Sequence, residues 1–384
     1  MRRVSVILYV MLLSLQIEAQ NVSSSEAFEI AQRFMAKKGI TLVNDDKVAT
    51  RGNAEPYSIF KGEDNKGFAI VVNGSIVGYS TENGVGENGI PDALKGMLGS
   101  YSKASTRNGT EPNDYPPYFE ERDVTPIEPL ITTRWNQCSP YNDLMEQKIN
   151  ICATVAWAQV IHYFKFPQTY CDLIDSEWND DYGYVPNGVV FPITTFDNSK
   201  ILDDYCGVNY TEEEAEEVAK LFQYTYFSAK WGMYGDELLE MVWNVDRIQI
   251  EGYDLPSQYA KFDELLEWKI PIIQGGANHL YVMDGRDSKG LYHVNFGWGG
   301  YYDGYYVFPD CGTLYDEYPN DYTFGSSGVC YILPKGWTSS INGITKNKAA
   351  DGSVYNLQGQ KVSNSLEGLS MGIYIKNGKK HVVK

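Results

Sequence analysis

Apolar positions recur with two different periods along the chain, and the changes of period divide it into modules. Near the N-terminus they recur every three or four residues over Ser25–Lys38, which predicts an amphipathic helix capped by Ser24 or Ser25. Short apolar runs bounded by turn-forming residues follow and predict strands, and a second helix comes after them. The predicted strands are Tyr57–Lys61, Gly67–Val72 and Ile76–Tyr79, and the predicted helix is Pro91–Tyr101.

The central part of the chain mixes helical and strand patterns. Asn150–Phe166 is alanine-rich with helical spacing, and Pro167 ends the predicted helix because proline cannot continue one. Helices are also predicted over Glu212–Tyr226 and Asp236–Val245. From residue 270 to 308 the pattern changes to strands and turns, so this part is predicted to be α+β.

Two further segments differ from these modules. Ser102–Thr125 is rich in turn formers and charges, which predicts an exposed linker that a protease could cut. The tail, Ser339–Lys384, contains short strand-like runs and the hairpin signal Asn377-Gly378. It therefore predicts a small β module at the C-terminus.

The N-terminus is typical of a signal peptide. Met1-Arg2-Arg3 is followed by the apolar run Val4–Leu15 and then by Glu18-Ala19-Gln20, with a small residue near the expected cleavage point. The run is too short to span a bilayer, and no other segment resembles a transmembrane helix. We therefore expect an exported protein that is secreted or lies at the cell surface or in the periplasm.

Charge and cysteine usage narrow the function classes. The formal net charge is −18 over 384 residues, which argues against electrostatic binding to nucleic acid or to anionic membranes. Six cysteines are present, and if one is a catalytic thiol the other five cannot all pair. Cys311 and Cys330 flank one loop and could form a bridge. No cysteine or histidine spacing suggests a zinc site.

One cysteine stands where a nucleophile would be activated. Asn150 is a good N-cap, which places Cys152 in the first turn of the predicted helix. There the exposed N–H groups and the helix dipole favour a thiolate. The alternative is that Cys152 is a small buried side chain in a packing helix.

A thiol nucleophile needs a base, and only four histidines are available. His162 lies ten residues along the same helix, about 15 Å from Cys152 at ~1.5 Å per residue, so it cannot reach. His381 is close to the C-terminus in the small β module. His279 and His293 remain, and His279 is the favoured base, with His293 as the alternative.

The two remaining histidines lie in a predicted hairpin. If it turns near Asp287, residue 279 pairs with residue 295, because opposite positions of an antiparallel pair have a constant sum. Asn295 would then hold the His279 imidazole and complete a Cys–His–Asn arrangement. His293 lies on the same strand face as Asn295.

The stretch from Cys152 to Gln159 and the block from His279 to Gly304 resemble motifs of the streptopain family of bacterial cysteine peptidases. The second block includes Tyr292-His293-Val294-Asn295 and Gly297-Trp298-Gly299-Gly300. The resemblance implies an α+β papain-like fold in which Cys152 is the nucleophile, His279 the general base and Asn295 its orienting partner. It implies a protein or peptide substrate and no cofactor.

Further positions follow from the same resemblance. The segment from Trp135 to Asn142 is similar to the start of the mature family enzyme, which implies that Gln137 donates to the oxyanion hole beside the N–H of Cys152. Gly235 resembles part of a substrate-cleft segment, and Trp298 resembles an indole that shields the catalytic pair from water.

The N-terminal module resembles the family's pro-domain, which blocks the cleft until it is removed. The chain is therefore expected to be a zymogen whose own pro-domain is an intramolecular inhibitor. The expected parts are a signal peptide (1–20), a pro-domain with linker (21–124), a papain-like catalytic domain (125–335) and a small β module (336–384) that resembles sorting signals of exported proteins.

Some positions depart from the family pattern. Ile151 and Asn278 stand where glycine is usual, and Phe296 stands where tryptophan follows the asparagine. Ile151 and Asn278 flank the reactive pair and would shape or narrow the substrate cleft. Two alternatives to an endopeptidase therefore remain: a catalytically impaired relative that only binds peptides or an inhibitor, and a Cys–His amidase that acts on cell-wall peptides.

Overall fold

Helices pack on a large antiparallel sheet, and this confirms the α+β prediction. The structure is a computed structural model. It describes residues 23–43, 57–104, 115–116, 119–145, 152–165, 195–232, 243, 245–250, 255–276, 278–308, 329–334, 353–355, 361–369, 372–376 and 379–383. Within this part of the chain, no helix combines the length and the apolar character needed to cross a membrane.

The N-terminal module folds much as its pattern predicts. Its elements are α1 (Ser24–Ala36), β1 (Tyr57–Lys61), β2 (Phe68–Val72), β3 (Ser75–Ser80) and α2 (Asp92–Ala104). The cap of α1 is Ser23, because its side chain accepts the N–H of Glu26 at 3.2 Å, so the prediction of Ser24 or Ser25 is wrong by one residue or two.

The central part supplies three more helices and six strands among the described residues. They are α3 (Cys152–Phe164), α4 (Glu212–Gly232), β4 (Val245–Gln249), α5 (Leu255–Glu267), β5 (Ile272–Gly276), β6 (His279–Arg286), β7 (Tyr292–Asn295), β8 (Gly304–Tyr306) and β9 (Val329–Pro334). The helix predicted over Asp236–Val245 falls largely outside the described residues, and its last residue begins β4 instead. Helix α5 was not predicted.

One sheet unites the two modules. Its described strands run in the order β1-β2-β3-β8-β7-β6-β5-β9-β4, and every neighbouring pair is antiparallel. The junction is the pair β3–β8, in which Gly78 lies opposite Tyr306. A Cβ atom on Gly78 would lie 2.7 Å from the Tyr306 ring, so only glycine permits this close approach.

The sheet separates two apolar cores. Alternate residues of a strand point to opposite faces. Ile272, Tyr281 and Met283 accordingly pack with α1, α2 and α5 on one face. Ile273 and Val282 pack with α3 and α4 on the other face. Each such side chain, when fully buried, contributes about 1.5–3 kcal/mol to folding. Burial on both faces holds β5 and β6 rigidly at the centre of the molecule.

The predicted linker is partly anchored. Arg122 and Val124 donate their backbone N–H groups to the carbonyls of Lys289 and Ser288, at 3.0 and 3.2 Å. The Arg122 guanidinium also forms an ion pair with Asp263. The end of the segment predicted to be exposed therefore lies along the turn between β6 and β7. Residues 105–114 lie outside the described part of the chain.

The tail forms a separate small sheet, as its pattern predicts. Its strands are β10 (Val354–Tyr355), β11 (Lys361–Ser363), β12 (Gly372–Lys376) and β13 (Lys379–Val383), in the order β11-β10-β12-β13. Lys376 pairs with Lys379, which leaves two residues for the turn, in agreement with the Asn377-Gly378 signal.

Candidate active site

Cys152 is the first residue of α3. Its side chain is partly exposed, whereas the ten residues that follow it are buried and hold the helix in the core. The free N–H groups of a helix's first turn surround a residue at this position. The proposed cap, Asn150, and the flanking Ile151 lie outside the described residues.

The loop after β7 lies against the first turn of α3. Gly297 has φ +71°, and a Cβ atom on it would lie 2.7 Å from Cγ1 of Val155. Glycine therefore meets two demands at this position, a left-handed backbone and close contact with the helix. Val155 is one helical turn from Cys152, so this contact brings the loop to the end of α3 where the thiol lies.

His279, the first residue of β6, points into this region. It is 5% exposed, and its Nε2 lies 2.8 Å from the carbonyl oxygen of Phe296. A carbonyl can only accept, so Nε2 must carry a hydrogen and donate it. In the neutral ring the lone pair then belongs to Nδ1, which is the nitrogen that can act as a base.

Burial also decides the charge of this ring. Desolvation lowers the pKa of His279 from 6.5 to about 4, although the hydrogen bond to Phe296 works in the opposite direction. The indole of Trp298 stacks on the imidazole, with ring centroids 4.6 Å apart. The Phe296 ring also stacks on that indole at 4.6 Å and lies 6.2 Å from the imidazole. The aromatic pair covers His279 and keeps it neutral.

The register of the hairpin differs from the prediction. Val282, not His279, lies opposite Asn295, and the pair Arg286–Tyr292 closes the ladder. The turn therefore begins at Asp287 instead of centring on it. The Asp287 carboxylate explains this placement, because it accepts the N–H groups of Lys289 and Leu291 at 2.8 and 2.9 Å.

Asn295 therefore acts on His279 indirectly, through one peptide group. Its Nδ2 donates to the Thr133 carbonyl at 2.9 Å, and its Oδ1 accepts the N–H of Gly297 at 3.0 Å. That N–H belongs to the same peptide group as the Phe296 carbonyl that binds His279. The direct bond predicted between Asn295 and the imidazole is thus replaced by a relay through one peptide.

The alternative base, His293, is enclosed by carboxylates. Its Nδ1 lies 2.6 Å from Oδ1 of Asp284. Burial alone would lower the pKa of His293, but the charges of Asp284 and Asp303 raise it above its usual value. Asp303 accepts the N–H of Phe296 at 2.8 Å, and burial raises the pKa of Asp303 to about 7. His293 is therefore engaged in a buried ion pair with Asp284, which favours the charged form of the ring.

Gln137 lies next to the Trp298 loop. Its N–H donates to Oδ1 of Asn136 at 2.7 Å, and the N–H of Gly299 donates to the Trp135 carbonyl at 2.8 Å. A Cβ atom on Gly299 would lie 3.1 Å from Nδ2 of Asn136. The backbone around Gln137 is therefore fixed against the loop that covers His279.

The remaining predicted positions divide into two groups. Asn278 is exposed and has φ +58°, a left-handed conformation that favours glycine and tolerates asparagine. The replacement of the usual glycine therefore preserves the backbone at this point. Gly235, like Ile151, lies outside the described residues, so its place in a substrate cleft stays a prediction.

Sequence reasoning missed three contributors. The Phe296 carbonyl, the Thr133 carbonyl and the Asp303 carboxylate all hold the catalytic hairpin, and two of them are backbone atoms that no side-chain motif reveals. Asp303 could have been recognised from the sequence. It lies between a glycine-rich turn and a strand-like run, and a carboxylate that is buried there must have a partner.

Comparison with known proteins agrees with this geometry. The family model described as Peptidase C10 matches residues 135–241 and 249–306, which include α3 and the β6–β7 hairpin. The model described as Spi protease inhibitor matches residues 19–105. The catalytic part of the chain, over these matched residues, belongs to the Peptidase C10 family. The chain is a cysteine peptidase, and its N-terminal module is an inhibitory pro-domain of a zymogen.

Individual Peptidase C10 relatives are distant in sequence. Streptopain from Streptococcus pyogenes is 23% identical over 308 residues, which cover 68% of this chain and 76% of streptopain. The thiol protease/hemagglutinin PrtT from Porphyromonas gingivalis is 25% identical over 359 residues, 79% of this chain but 41% of PrtT. This chain therefore spans less than half of PrtT.

A solved structure supports the fold. A fragment of prointerpain A from Prevotella intermedia superimposes with a TM-score of 0.54 at 22% identity, covering 73% of this chain and 96% of the fragment. The papain-like fold with an attached pro-domain is therefore confirmed for this Peptidase C10 member.

Proposed function

We propose that this zymogen is an exported endopeptidase in which Cys152 attacks the peptide bond and Nδ1 of His279 is the base. The observation that carries this proposal is the bond between Nε2 of His279 and the Phe296 carbonyl. It fixes the tautomer that leaves Nδ1 unprotonated. The packing of the Gly297 loop on the first turn of α3 supports the pairing of that nitrogen with Cys152.

The reaction proceeds in two halves. Sγ of Cys152 attacks the carbonyl carbon of the substrate, its proton passes to Nδ1 of His279, and the imidazolium then protonates the leaving amine. The C–N bond breaks and a thioester remains on Cys152. Water, deprotonated by the same nitrogen, attacks the thioester and releases the acid, which restores the thiol and the neutral ring.

Charge on the substrate oxygen needs donors during both halves. We assign this role to the side-chain amide of Gln137 and the backbone N–H of Cys152 at the start of α3. Support comes from the two contacts that fix the Gln137 backbone beside the Trp298 loop. Asn295 is a positioning residue in this scheme, because it holds the peptide that binds Nε2 of His279.

Besides the β3–β8 strand pair, the pro-domain makes side-chain and backbone hydrogen bonds to the catalytic domain. Tyr79 on β3 donates its hydroxyl to Oδ2 of Asp287 at 2.7 Å, in a buried bond at the turn of the catalytic hairpin. Beyond β3, the N–H of Tyr302 donates to the Gly84 carbonyl at 2.9 Å. The Arg134 guanidinium donates to Oδ1 of Asn83 at 3.0 Å.

These contacts place residues 83–89 of the pro-domain against the turn that follows Trp298. Tyr302 also stacks edge-on against the Trp298 indole, with centroids 6.3 Å apart. We infer that the pro-domain restrains the aromatic cover of His279 and limits access to it until the chain is cut within residues 102–125. The stretch 105–114, within that window, is where the sequence predicts exposure.

The test is mass spectrometry of the purified precursor over time, beside the Cys152→Ala variant. We expect the wild type to cut itself within residues 102–125 and the variant to stay intact. A trace of processed wild type added to the variant is the control, since it should cut the same bond and so show that the site is open. If the wild type stays intact and a thiol-directed peptidase inhibitor does not label Cys152, the proposal is wrong.

The alternative of a binding protein with a blocked cleft loses part of its basis. It relied on Ile151, Asn278 and Phe296, and of these Asn278 adopts the backbone conformation that glycine would. The amidase alternative uses the same residues, so substrate assays with peptide and cell-wall amides distinguish it after processing.

A further inference from the structure

Two exposed cysteines, Cys138 and Cys206, lie outside the catalytic scheme. Cys138 follows Gln137 directly, and Cys206 ends a segment that begins at Asp203. Cys171 and Cys311 lie outside the described residues, so the predicted Cys311–Cys330 bridge stays a prediction.

The two cysteine-bearing segments run side by side. The N–H of Arg134 donates to the Asp203 carbonyl at 2.7 Å, and Arg134 forms a parallel bridge with Asp204. In a parallel pair the residues advance together, so the bridge sets residue 136 level with residue 206. Cys138 is two positions further along its segment.

A turn brings Cys138 back toward the other segment. The N–H of Tyr141 donates to the Cys138 carbonyl at 2.9 Å, which closes the turn. The Tyr141 ring packs edge-on against Tyr205, the neighbour of Cys206, with centroids 5.5 Å apart. A residue near each of the two thiols, Tyr141 and Tyr205, is therefore in contact with the other.

The region around Cys206 also contacts the loop whose Trp298 indole covers His279. Sγ of Cys206 lies 3.4 Å from the position that a Cβ atom on Gly299 would take, and Nδ2 of Asn136 lies 3.1 Å from it. Gly299 follows Trp298, whose indole stacks on His279. A bond between the thiols would thus join the segment of Gln137 to the segment that supports Gly299.

We propose that Cys138 and Cys206 form a reversible disulfide, with low-molecular-weight disulfides as the oxidant. One thiolate attacks the small disulfide, forms a mixed disulfide and releases one small thiol. The thiolate of the second cysteine then attacks the sulfur of the first cysteine within that mixed disulfide, which forms the protein disulfide and releases the other small thiol. Two protein thiols are oxidised to one disulfide, and one small disulfide is reduced to two thiols.

Electrostatics agree with this proximity. Burial and then the neighbouring Cys206 raise the pKa of Cys138. Cys138 is therefore less often a thiolate and is suited to the second, intramolecular step, in which closeness compensates for a smaller thiolate fraction. The charge on the Cys206 sulfur thus affects the ionisation of Cys138.

The disulfide would act as a clamp on the oxyanion side of the cleft. It would connect residues on both flanks of a loop from 138 to 206 that contains all of α3 and its nucleophile. We expect the oxidised protein to unfold at a higher temperature than the reduced protein. This effect does not depend on whether the zymogen is active.

The experiment uses the full-length Cys152→Ala precursor, so that neither self-cleavage nor the nucleophile interferes. The protein is equilibrated with increasing ratios of oxidised to reduced glutathione, its remaining thiols are alkylated, and its peptides are mapped by mass spectrometry. We expect one linked peptide pair that contains Cys138 and Cys206 and that disappears on reduction.

In Cys138→Ser and in Cys206→Ser the pair should be replaced by a glutathione adduct on the remaining cysteine. Separate glutathione adducts on both cysteines of the precursor, without a linked pair, would overturn the proposal, and so would a link from either to another cysteine. If a serine variant fails to fold, the peptide map of the precursor alone still decides. Failure here would leave the peptidase proposal intact, because proteolysis is not measured.

Discussion

The β6–β7 hairpin carries two buried histidines, and they have opposite surroundings. His279 has a backbone carbonyl at Nε2 and an indole over its face, and burial lowers its pKa to about 4. His293 lies 2.6 Å from the Asp284 carboxylate, and its pKa is raised despite complete burial. The surroundings of His279 favour a neutral ring with a lone pair on Nδ1, whereas those of His293 favour the charged ring.

This difference shows that two histidines of the same sheet can have different roles because their hydrogen-bond partners differ. A carboxylate partner stabilises the imidazolium, which suits a structural ion pair. A carbonyl partner fixes the tautomer without stabilising the charge to the same degree, which suits a base that must gain and lose a proton. The family's second block contains both histidines, so only their surroundings separate the base from the buried cation.

The largest expected effects come from replacing each of the two histidines separately. His279→Ala should slow processing of the precursor by roughly 10⁴-fold or more, because the thiol loses its base. His293→Gln should instead lower the free energy of unfolding by about 3 kcal/mol, because it leaves Asp284 buried without its cation. Mass spectrometry and urea unfolding of both variants test this. A stable His279→Ala that processes at the wild-type rate would contradict the assignment.

Gln137 tests the oxyanion side of the site. Gln137→Ala should slow processing by about 10²–10³-fold, since one donor to the developing charge is lost. Gln137→Glu is the matched control, because it keeps the size of the side chain and removes the amide donor. Alkylation of Cys152 by iodoacetamide needs no oxyanion hole and should be little changed in both variants. Slow alkylation would point to a distorted Cys152 instead.

The lowered pKa of His279 predicts a pH dependence of stability. An unfolded histidine binds a proton near pH 6.5, whereas folded His279 does so only near pH 4. Between these values the unfolded state binds more protons, so stability falls as the pH is lowered through this window, by about 3 kcal/mol in total. Urea unfolding from pH 7 to 4 of the Cys152→Ala precursor, with and without His279→Gln, measures it. Equal slopes for the two proteins would contradict the prediction.

Asn295 should have a smaller effect, because it acts through a peptide. Asn295→Ala removes the acceptor of the Gly297 N–H, and we expect processing to slow by about 10-fold, less than for a residue that touches the ring. The proton resonance at Nε2 of His279 should shift in this variant, which a purely structural defect elsewhere would not cause. A loss as large as that of His279→Ala would indicate a direct contact instead.

The smallest effect concerns the backbone beside the base. Asn278→Gly should change the free energy of unfolding by less than about 1 kcal/mol, since both residues accept φ +58°. Asn278→Val should lower it by about 1–2 kcal/mol, because a β-branched residue is strained in a left-handed conformation. Thermal unfolding compares the two. A stable Asn278→Val would show that the conformation is not required.

Much of the fold and of the active site could be predicted from the local pattern of residues in the sequence. The period of apolar residues gave β1 and most of α1, α3 and α4, because these elements bury one face or both in the two cores. Elimination among four histidines gave His279, and a left-handed Asn278 is consistent with the glycine of the family pattern.

Other features depend on interactions that the pattern does not contain. The hairpin register was missed because the Asp287 carboxylate begins the turn, and a bulge between Met283 and Gly285 shifts the pairing. The relay from Asn295 was missed because its middle part is a peptide group. The union of both modules in one sheet depends on Gly78, a residue distant in sequence from its partner strand.

The most direct test is nitrogen-edited NMR of the histidine rings in the Cys152→Ala precursor as the pH is lowered from 7. The account predicts that His279 carries its hydrogen on Nε2 and stays neutral until about pH 4, whereas His293 becomes charged at a higher pH than usual. A His279 ring that carries its hydrogen on Nδ1, or that titrates together with His293, would contradict the assignment of His279 as the base.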